Sequence, residues 1–397
     1  MDKAGATTGV GVDDRIKKDK QSRFAEKVQR LNEARVQDQV FPIFQQFGSV
    51  EEQGGDDQTP QLVDAYKALV EIVKEDATAG AVSEPNAIKE RQFATDYLSE
   101  DPKSAVAVRM NTRILAGSRQ FVESNFFRQL EKIVTSNPRE ARIGGVPSTI
   151  NKVRGYVNIR AAKRDLVPDG IELQKVEQDY CWVMVFYLLR SGQAKEAEEY
   201  VRTYANEFRA LDRNFATYIT NYNHAEDRRI ESPVLDRLQA EYNQRSKIAP
   251  DKSVDPYRLA CYKIIGRCDL GKRSLDLMNQ GIDDWIWLQF NLARESQRPD
   301  EPAGESFGMA DLRTVIKEIG QRFFEKESTD SAGGYGVYFL LLILGGMFEQ
   351  AVAYLCSYSY VSAVHFAIAL DFYGLLRVSD FNASEHELGE LISPSAP

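Results

Sequence analysis

The sequence has 397 residues, a hydrophobic fraction of 43%, a charged fraction of 27% and a formal net charge of −9. This much apolar material predicts a packed core and excludes a chain that is disordered throughout. The acidic balance argues against direct nucleic-acid binding, because phosphate recognition needs a basic surface. The longest apolar runs, Cys181–Leu189 and Val337–Leu344, are far shorter than the ~18 residues of a membrane span, so we expect no transmembrane segment.

The first predicted helix is strongly basic. Between Arg15 and Arg35 there are eight basic and three acidic residues, and Phe24, Val28 and Leu31 fall on one narrow helical stripe. Such a helix either packs its stripe against the protein body, which is the commoner arrangement, or contacts anionic lipid or an acidic partner.

The rest of the chain reads as about twelve to fifteen helices joined by short turns. An acidic, glycine-rich loop is predicted at Gly48–Pro60, and strand signals are almost absent. The predicted helices are Gln61–Glu75, Asn86–Leu98, Pro102–Asn137, Ser148–Arg164, Ile171–Arg190, Ala194–Phe208, Pro233–Ser246, Pro256–Arg267, Asp283–Arg294, Met309–Phe324, Val337–Leu344, Phe348–Tyr358 and Val361–Arg377.

One spacing occurs twice, each time after a strongly apolar helix. It consists of Gly192, Ala197 and Tyr200, and again of Gly346, Ala351 and Tyr354. The glycine permits a tight left-handed turn, and the alanine and tyrosine then face back onto the preceding helix. Because such a pair cannot bury its apolar side alone, it stacks on its neighbours, and we predict an all-α, irregular α-solenoid.

Three motifs resemble catalytic or nucleotide-binding patterns, and each fails in context. Gly266–Arg273 has the glycines and lysine of a phosphate-binding loop, but it follows a predicted helix and lacks the hydroxyl residue that binds magnesium. The nucleophile-elbow pattern around Ser306 follows a polar, proline-containing segment and not a strand. His386 starts a zinc-protease motif whose second histidine is missing.

The remaining candidates for chemistry are also better explained as structural residues. The three histidines are far apart, and His365 is expected to be a hydrogen-bonded core residue. Asp283 and Asp284 suit the first turn of a helix, where carboxylates are favoured by its dipole. The four cysteines are expected to be buried thiols, so we predict no enzyme activity, no cofactor and no metal.

Five blocks, in this order, resemble the nucleoporin-interacting-component family, the fungal and animal linker nucleoporins of the inner ring of the nuclear pore. They are GGVPSTINKVRGYVNIR at Gly144–Arg160, DRRIESPVLDRLQAEYNQ at Asp227–Gln244, DPYRLACYKIIGRCD at Asp255–Asp269, DDWIWLQF at Asp283–Phe290 and AVAYLCSYSYVSAVHFAIAL ending at Leu370. The resemblance covers roughly Asn111 to Arg377, and DPYRLACYKIIGRCD is its most specific block.

The resemblance implies an elongated helical scaffold whose chain folds back on itself, as in coat-type nucleoporins. It also implies a role in connecting inner-ring nucleoporins and supporting transport of protein and mRNA at the nuclear envelope. The expected partners are other inner-ring nucleoporins, including the membrane-associated one, which docks a short linear segment on the scaffold. Candidate residues for this docking are Phe121, Phe126, Phe127 and Leu130.

The predicted organisation has four segments: a flexible terminus at 1–14, charged helices and an acidic loop at 15–100, the first part of a longer scaffold domain at 101–378, and a mobile polar tail or loop at 379–397. The resemblance also implies that family members have further segments at both ends. Partner contacts made by those segments are not expected of the present sequence. The alternative function is a vesicle-coat or membrane-tethering helical adaptor that uses the basic Arg15–Arg35 helix.

Overall fold

A computed structural model of the chain describes residues 10–54, 59–78, 80–84, 87–142, 144, 148–248, 255–275, 278, 281–295, 306–323 and 334–377. Within these ranges there are 18 α-helices, one short 3₁₀ helix at Glu226–Arg228 and one hairpin of two-residue strands. The predicted all-α class is therefore confirmed. Among the described helices, none is both long enough and apolar enough to cross a membrane.

The helices are α1 Val10–Val36, α2 Ile43–Glu52, α3 Thr59–Val73, α4 Ala94–Tyr97, α5 Ala105–Ser136, α6 Pro138–Ala141, α7 Thr149–Ala162, α8 Cys181–Arg190, α9 Ala194–Thr203, α10 Ala205–Leu211, α11 Phe215–His224, α12 Val234–Ile248, α13 Pro256–Gly266, α14 Ile282–Leu292, α15 Met309–Phe323, α16 Gly334–Leu344, α17 Phe348–Cys356 and α18 Tyr360–Tyr373. The strands are β1 Lys175–Val176 and β2 Asp179–Tyr180.

The described residues divide into two compact units. Unit 1 takes those within Met1–Ser118, Arg294–Pro299 and Gly308–Pro397, and unit 2 takes those within Arg119–Ala293 and Asp300–Phe307. The division thus falls inside α5. Residues 1–9 of the predicted flexible terminus and the predicted tail at 379–397 lie outside the described residues, whereas residues 10–14 begin α1.

In unit 1 the end of the described chain returns to its beginning, because α16 packs on α3, and α18 packs on α2. Glu75 joins these parts. The residue before α2 is Pro42, whose side chain makes no capping hydrogen bond, and Glu75 caps the helix in its place. The buried Glu75 carboxylate accepts hydrogen bonds from the backbone N–H groups of Phe44 and Gln45, each at 2.9 Å, and from the Tyr373 hydroxyl at 2.7 Å. It therefore satisfies two of the donors that a helix start leaves free.

In unit 2, α8 is the centre of the core. All ten residues of this helix are buried, and α7, α9 and α13 pack around it. Gly192 follows α8 with φ of 75°, and Ala197 and Tyr200 on α9 are almost fully buried. In unit 1, Gly346 makes the equivalent turn with φ of 64°. The predicted helix–glycine–helix pairs are therefore present in both units.

Two predicted helices are largely wrong. Ile171–Arg190 is helical only from Cys181, because the β1–β2 hairpin occupies the segment just before it. Asn86–Leu98 is helical only at α4. There the backbone N–H groups of Arg91 and Phe93 donate to the carbonyls of Phe372 and Tyr373 at 2.6 and 3.0 Å. A contact distant in sequence thus replaces the local helical hydrogen bonds.

Other differences concern helix ends and omissions. The predicted Ala194–Phe208 helix is interrupted at Tyr204, which separates α9 from α10. The predicted loop at Gly48–Pro60 begins later, because Gly48 lies inside α2 against the Cβ of Tyr66. Helices α2 and α11 were not predicted at all.

Candidate protein-interaction surfaces

The apolar stripe of the basic helix α1 is docked on unit 1. Phe24 and Leu31 are buried, Val28 is half-buried, and the Phe24 ring stacks on His365 with centroids 3.8 Å apart. Lys20 is 2.6 Å from the buried Glu51 carboxylate. The structure therefore has the first of the two arrangements predicted for this helix, with its apolar stripe packed against the protein body.

His365 is a structural residue, as predicted. Its Nδ1–H donates to the Val361 carbonyl at 2.6 Å, and its ring stacks on Phe24 and meets the Phe47 ring edge-on. Burial lowers the pKa of His365 below its ordinary value of 6.5, and the charge of nearby Lys20 acts in the same direction. A neutral, stacked imidazole stabilises the docking of α1.

The four candidate docking residues on α5 differ in exposure. Phe121 and Leu130 are buried within the fold, so their side chains are covered by the chain itself. Phe126 and Phe127 are half-buried. The Phe126 ring packs against the rings of Tyr156 and Tyr187, and Lys152 lies 5.9 Å from the Phe127 ring. Only this pair retains surface for a partner.

Sequence reasoning missed the buried charge beneath this face. Arg190, at the end of α8, is 2% exposed and donates from Nε to Asp284 at 2.9 Å. Its other nitrogens donate to the carbonyls of Val122 and Asp283, each at 3.2 Å, and its guanidinium lies 4.2 Å from the centre of the Phe126 ring. Arg190 thus connects α5, α8 and α14, and Asp284 is its ion-pair partner as well as a first-turn carboxylate.

A surface groove of about 470 Å³ lies in unit 2 between the end of α7 and the hairpin. Its lining is rich in apolar side chains, including Leu166, Pro168, Ile171, Leu173 and Tyr180. A groove of this kind suits an extended or helical peptide with apolar anchors.

The catalytic motifs do not assemble a site in the described residues. Gly266 ends helix α13, and a phosphate-binding loop must instead follow a strand. Ser306 is exposed before α15, while Gly304 and His386 lie outside the described residues. The described part of the chain contains no group of three His, Cys, Asp or Glu residues placed to bind a metal ion.

The cysteines are mostly unsuited to nucleophilic chemistry. Cys181, Cys261 and Cys268 are buried, as expected, whereas Cys356 is exposed, contrary to expectation. Burial raises the pKa of the Cys181 thiol to about 12. The reactive thiolate form is therefore scarce at neutral pH.

Comparison with known proteins places these features in a family. The sequence model of the Nup93/Nic96 family matches residues 60–396, a longer span than the blocks recognised above. Nucleoporin NIC96 of Chaetomium thermophilum is 46% identical over 388 residues, which is 98% of this chain and 34% of that protein. The meiotically up-regulated gene 87 protein of Schizosaccharomyces pombe is 34% identical over 322 residues, 80% of this chain and 36% of that protein.

The fold agrees with a solved relative. The crystal structure of Chaetomium thermophilum Nic96 SOL matches with a TM-score of 0.85 and 46% identity, covering 92% of this chain and 51% of that chain. The present chain thus spans about a third of the length of the curated relatives it matches and about half of the crystallised one. On the family match and the 46% identity along nearly its whole length, the chain belongs to the Nup93/Nic96 family.

Proposed function

We propose that this chain is a structural scaffold segment of the inner ring of the nuclear pore complex, at the nuclear envelope. In that position it connects other nucleoporins and supports transport of protein and mRNA. Relatives that share its sequence are named nucleoporins or nuclear pore complex proteins. The proposed role uses the protein's surfaces for attachment, and no catalytic step is assigned to it.

The observation that carries this proposal is the use of the buried charged groups. Each fixes one element to another: Glu75 caps α2, Arg190 binds Asp284, Asp179 binds Arg154, and Asp212 binds Arg258. Catalytic sites instead direct such charged groups into a cleft where they meet substrate. Here these groups hold one element against another, which supports the rigid framework that a scaffold requires.

The finer part of the proposal concerns one partner. We infer that the membrane-associated inner-ring nucleoporin docks a short linear segment on unit 2, beside Phe126 and Phe127. Two half-buried aromatic rings on one helix offer an apolar contact whose position is fixed from below by Arg190. Phe121 and Leu130 of the same helix are buried, so we assign them no direct contact with the partner.

A co-purification tests both levels of the proposal. The tagged chain is expressed in fungal cells in three forms, which are the wild type, Phe127→Glu and Ile133→Glu. Ile133 is an exposed apolar residue on the same helix, two turns beyond Phe126, so it provides a matched acidic substitution that tests whether the contact is confined to Phe126 and Phe127. Tryptophan fluorescence of the purified variants checks that unit 2 is folded.

The wild-type chain is expected to recover inner-ring nucleoporins. Phe127→Glu should lose the membrane-associated one selectively, while Ile133→Glu keeps it. Absence of all inner-ring nucleoporins from the wild-type purification would contradict the scaffold role. Retention of the membrane-associated partner by a folded Phe127→Glu variant would contradict only the assigned contact.

A further inference from the structure

In addition to the groove described in unit 2, unit 1 contains a pocket of about 410 Å³. Its lining comes from α4, α5, α15 and α17 and from the turns beside them. Its volume is within the range of pockets that bind small ligands or a few peptide side chains. The residues that decide its chemistry are Arg313, Lys317 and Arg377 together with an apolar wall.

Arg313 is the unusual member of this lining. Its half-buried guanidinium donates from Nε to the Gly345 carbonyl at 3.0 Å and from Nη2 to Asn111 Oδ1 at 3.2 Å, both neutral acceptors. Of the described carboxylates, Glu295 and Glu349 attract Arg313 without accepting a hydrogen bond from it. Burial lowers the pKa of Arg313, and its hydrogen bonds go to neutral groups and not to a carboxylate. A carboxylate entering the pocket would provide the charged acceptor that these hydrogen bonds lack.

Two further cations line the same pocket. Lys317 is exposed one helical turn after Arg313 on α15, with no partner among the described residues. Arg377 contributes a guanidinium that donates to the carbonyls of Tyr97 and Ser99, each at 3.5 Å, and lies 6.0 Å from the centre of the Tyr97 ring. An incoming anion therefore meets three basic side chains.

The acidic residues of the lining limit how much negative charge fits. Asp96 is already paired with Arg109 at 2.8 Å, and Glu349 accepts from the Tyr97 hydroxyl at 2.8 Å. Glu100 is exposed at the rim. These three carboxylates repel a polyphosphate, whereas a single carboxylate can approach Arg313 and Lys317.

Much of the remaining wall is apolar, although Ser99 and Gln350 also contribute to it. Tyr97, Pro102, Ala107, Met110 and Met347 all line the pocket. Unbranched methionine side chains adapt to differently shaped apolar groups. The combination matches a peptide that presents an acidic side chain next to an apolar one.

We propose that this pocket of unit 1 binds a short acidic segment of a partner protein, with one Asp or Glu carboxylate on Arg313 and Lys317 and a neighbouring apolar side chain against Tyr97 and Met110. The site is separate from the α5 contact proposed in unit 2. Loss of either site by substitution can therefore be recognised independently.

The test uses the whole chain, fluorescently labelled, on an array of octapeptides that each carry one Glu and one Leu two to four residues apart. Every peptide is paired with its Glu→Gln counterpart, and the best binders are measured by fluorescence polarisation. The protein variants are Lys317→Glu, Arg313→Met and the control Lys89→Glu, which makes the same charge change at another exposed lysine of unit 1. Because Lys317 is exposed and has no partner among the residues that the structure describes, its substitution keeps the proposal testable even if Arg313→Met is unstable.

The proposal predicts that some Glu peptides bind and that their Gln counterparts bind at least about tenfold more weakly, as expected for loss of a charge-assisted hydrogen bond. Lys317→Glu should weaken binding by a similar factor, and Lys89→Glu should leave it unchanged. Equal binding of Glu and Gln peptides, binding insensitive to Lys317→Glu, or no binding at all would overturn the proposal. Inositol hexakisphosphate binding in place of any peptide would also overturn it, by assigning the pocket to a small polyanion.

Discussion

The ion pair between Arg190 and Asp284 provides the sharpest test of how unit 2 is stabilised. Arg190→Met retains an unbranched apolar stem beneath Phe126 and Trp287 but removes the charge and all three hydrogen-bonded contacts. Asp284 then loses its partner. Breaking a buried ion pair in this way costs ~3–5 kcal/mol, and we expect the lower end because the Asp284 side chain is 16% exposed and recovers some hydration.

The three tryptophans allow this cost to be measured in one unit. Trp182, Trp285 and Trp287 all lie in unit 2, so their fluorescence during urea unfolding reports that unit alone. We expect Arg190→Met to lower the free energy of unfolding by about 3 kcal/mol. The matched variant Arg209→Met, at an exposed arginine of α10, should change it by less than about 0.5 kcal/mol.

A double variant separates the charge from the packing. In Arg190→Met with Asp284→Leu neither partner leaves an unpaired charge, so part of the lost stability should return. The reasoning is refuted if Arg190→Met costs less than about 1 kcal/mol, or if the double variant is as unstable as the sum of the two single ones.

Three further predictions concern close packing and pH. Gly117→Ala should destabilise unit 1 by ~1–3 kcal/mol, because a Cβ at this position would lie 2.4 Å from Ile72 Cα. Thermal unfolding followed by circular dichroism measures this loss. Gly144→Ala is the control, because a Cβ there would have no atom within 4 Å. The folded-state pKa of His365 lies below 6.5, so its contribution to the free energy of unfolding is complete above pH 6.5 and is lost as the pH falls. In the His365→Phe variant, the free energy of unfolding should depend less on pH in this range. Burial raises the pKa of Asp255 from 3.8 to about 6, so the free energy of unfolding of unit 2 should fall as the pH rises from about 4 to 6. Unfolding of the Asp255→Asn variant, followed by tryptophan fluorescence, should lack that slope. An unchanged slope would contradict the assignment to Asp255.

The sequence was most informative where local rules decide the structure. The apolar run of α8, the glycine turn at Gly192 and the Ser148 cap of α7, whose hydroxyl accepts from the Asn151 N–H at 3.2 Å, all follow from residues close in the chain. The end of α8, the glycine turn and the start of α7 could be placed within a few residues, whereas α8 begins at Cys181 and not at the predicted Ile171. The family blocks then supplied the functional class, which pattern analysis alone left open.

The failures have a common physical origin in contacts distant along the chain. The β1–β2 hairpin turns at Glu177, with φ of 52°, without the Asn-Gly or Asp-Gly pair that signals a hairpin. Helix α2 depends on Glu75 for its cap. Arg190 and Asp284 are 94 positions apart, so neither residue reveals the other in the sequence.

The candidate surfaces were predicted least well, for the same reason. The sequence does not distinguish the four candidate docking residues of α5 by exposure. Only the structure shows that Phe121 and Leu130 are buried, whereas Phe126 and Phe127 are half-buried. Nor does the sequence indicate that Arg313 donates to the neutral acceptors Gly345 and Asn111, since that depends on how α15 meets α5 and the turn at Gly345.

The central claim, that this folded chain binds the membrane-associated inner-ring nucleoporin directly, is tested most directly by reconstitution. The purified chain, with its helical circular-dichroism spectrum verified, is mixed with the purified membrane-associated inner-ring nucleoporin and analysed by size-exclusion chromatography with light scattering. The account predicts a stoichiometric complex that elutes ahead of both components. Separate elution of the two folded proteins over the whole concentration range would contradict it.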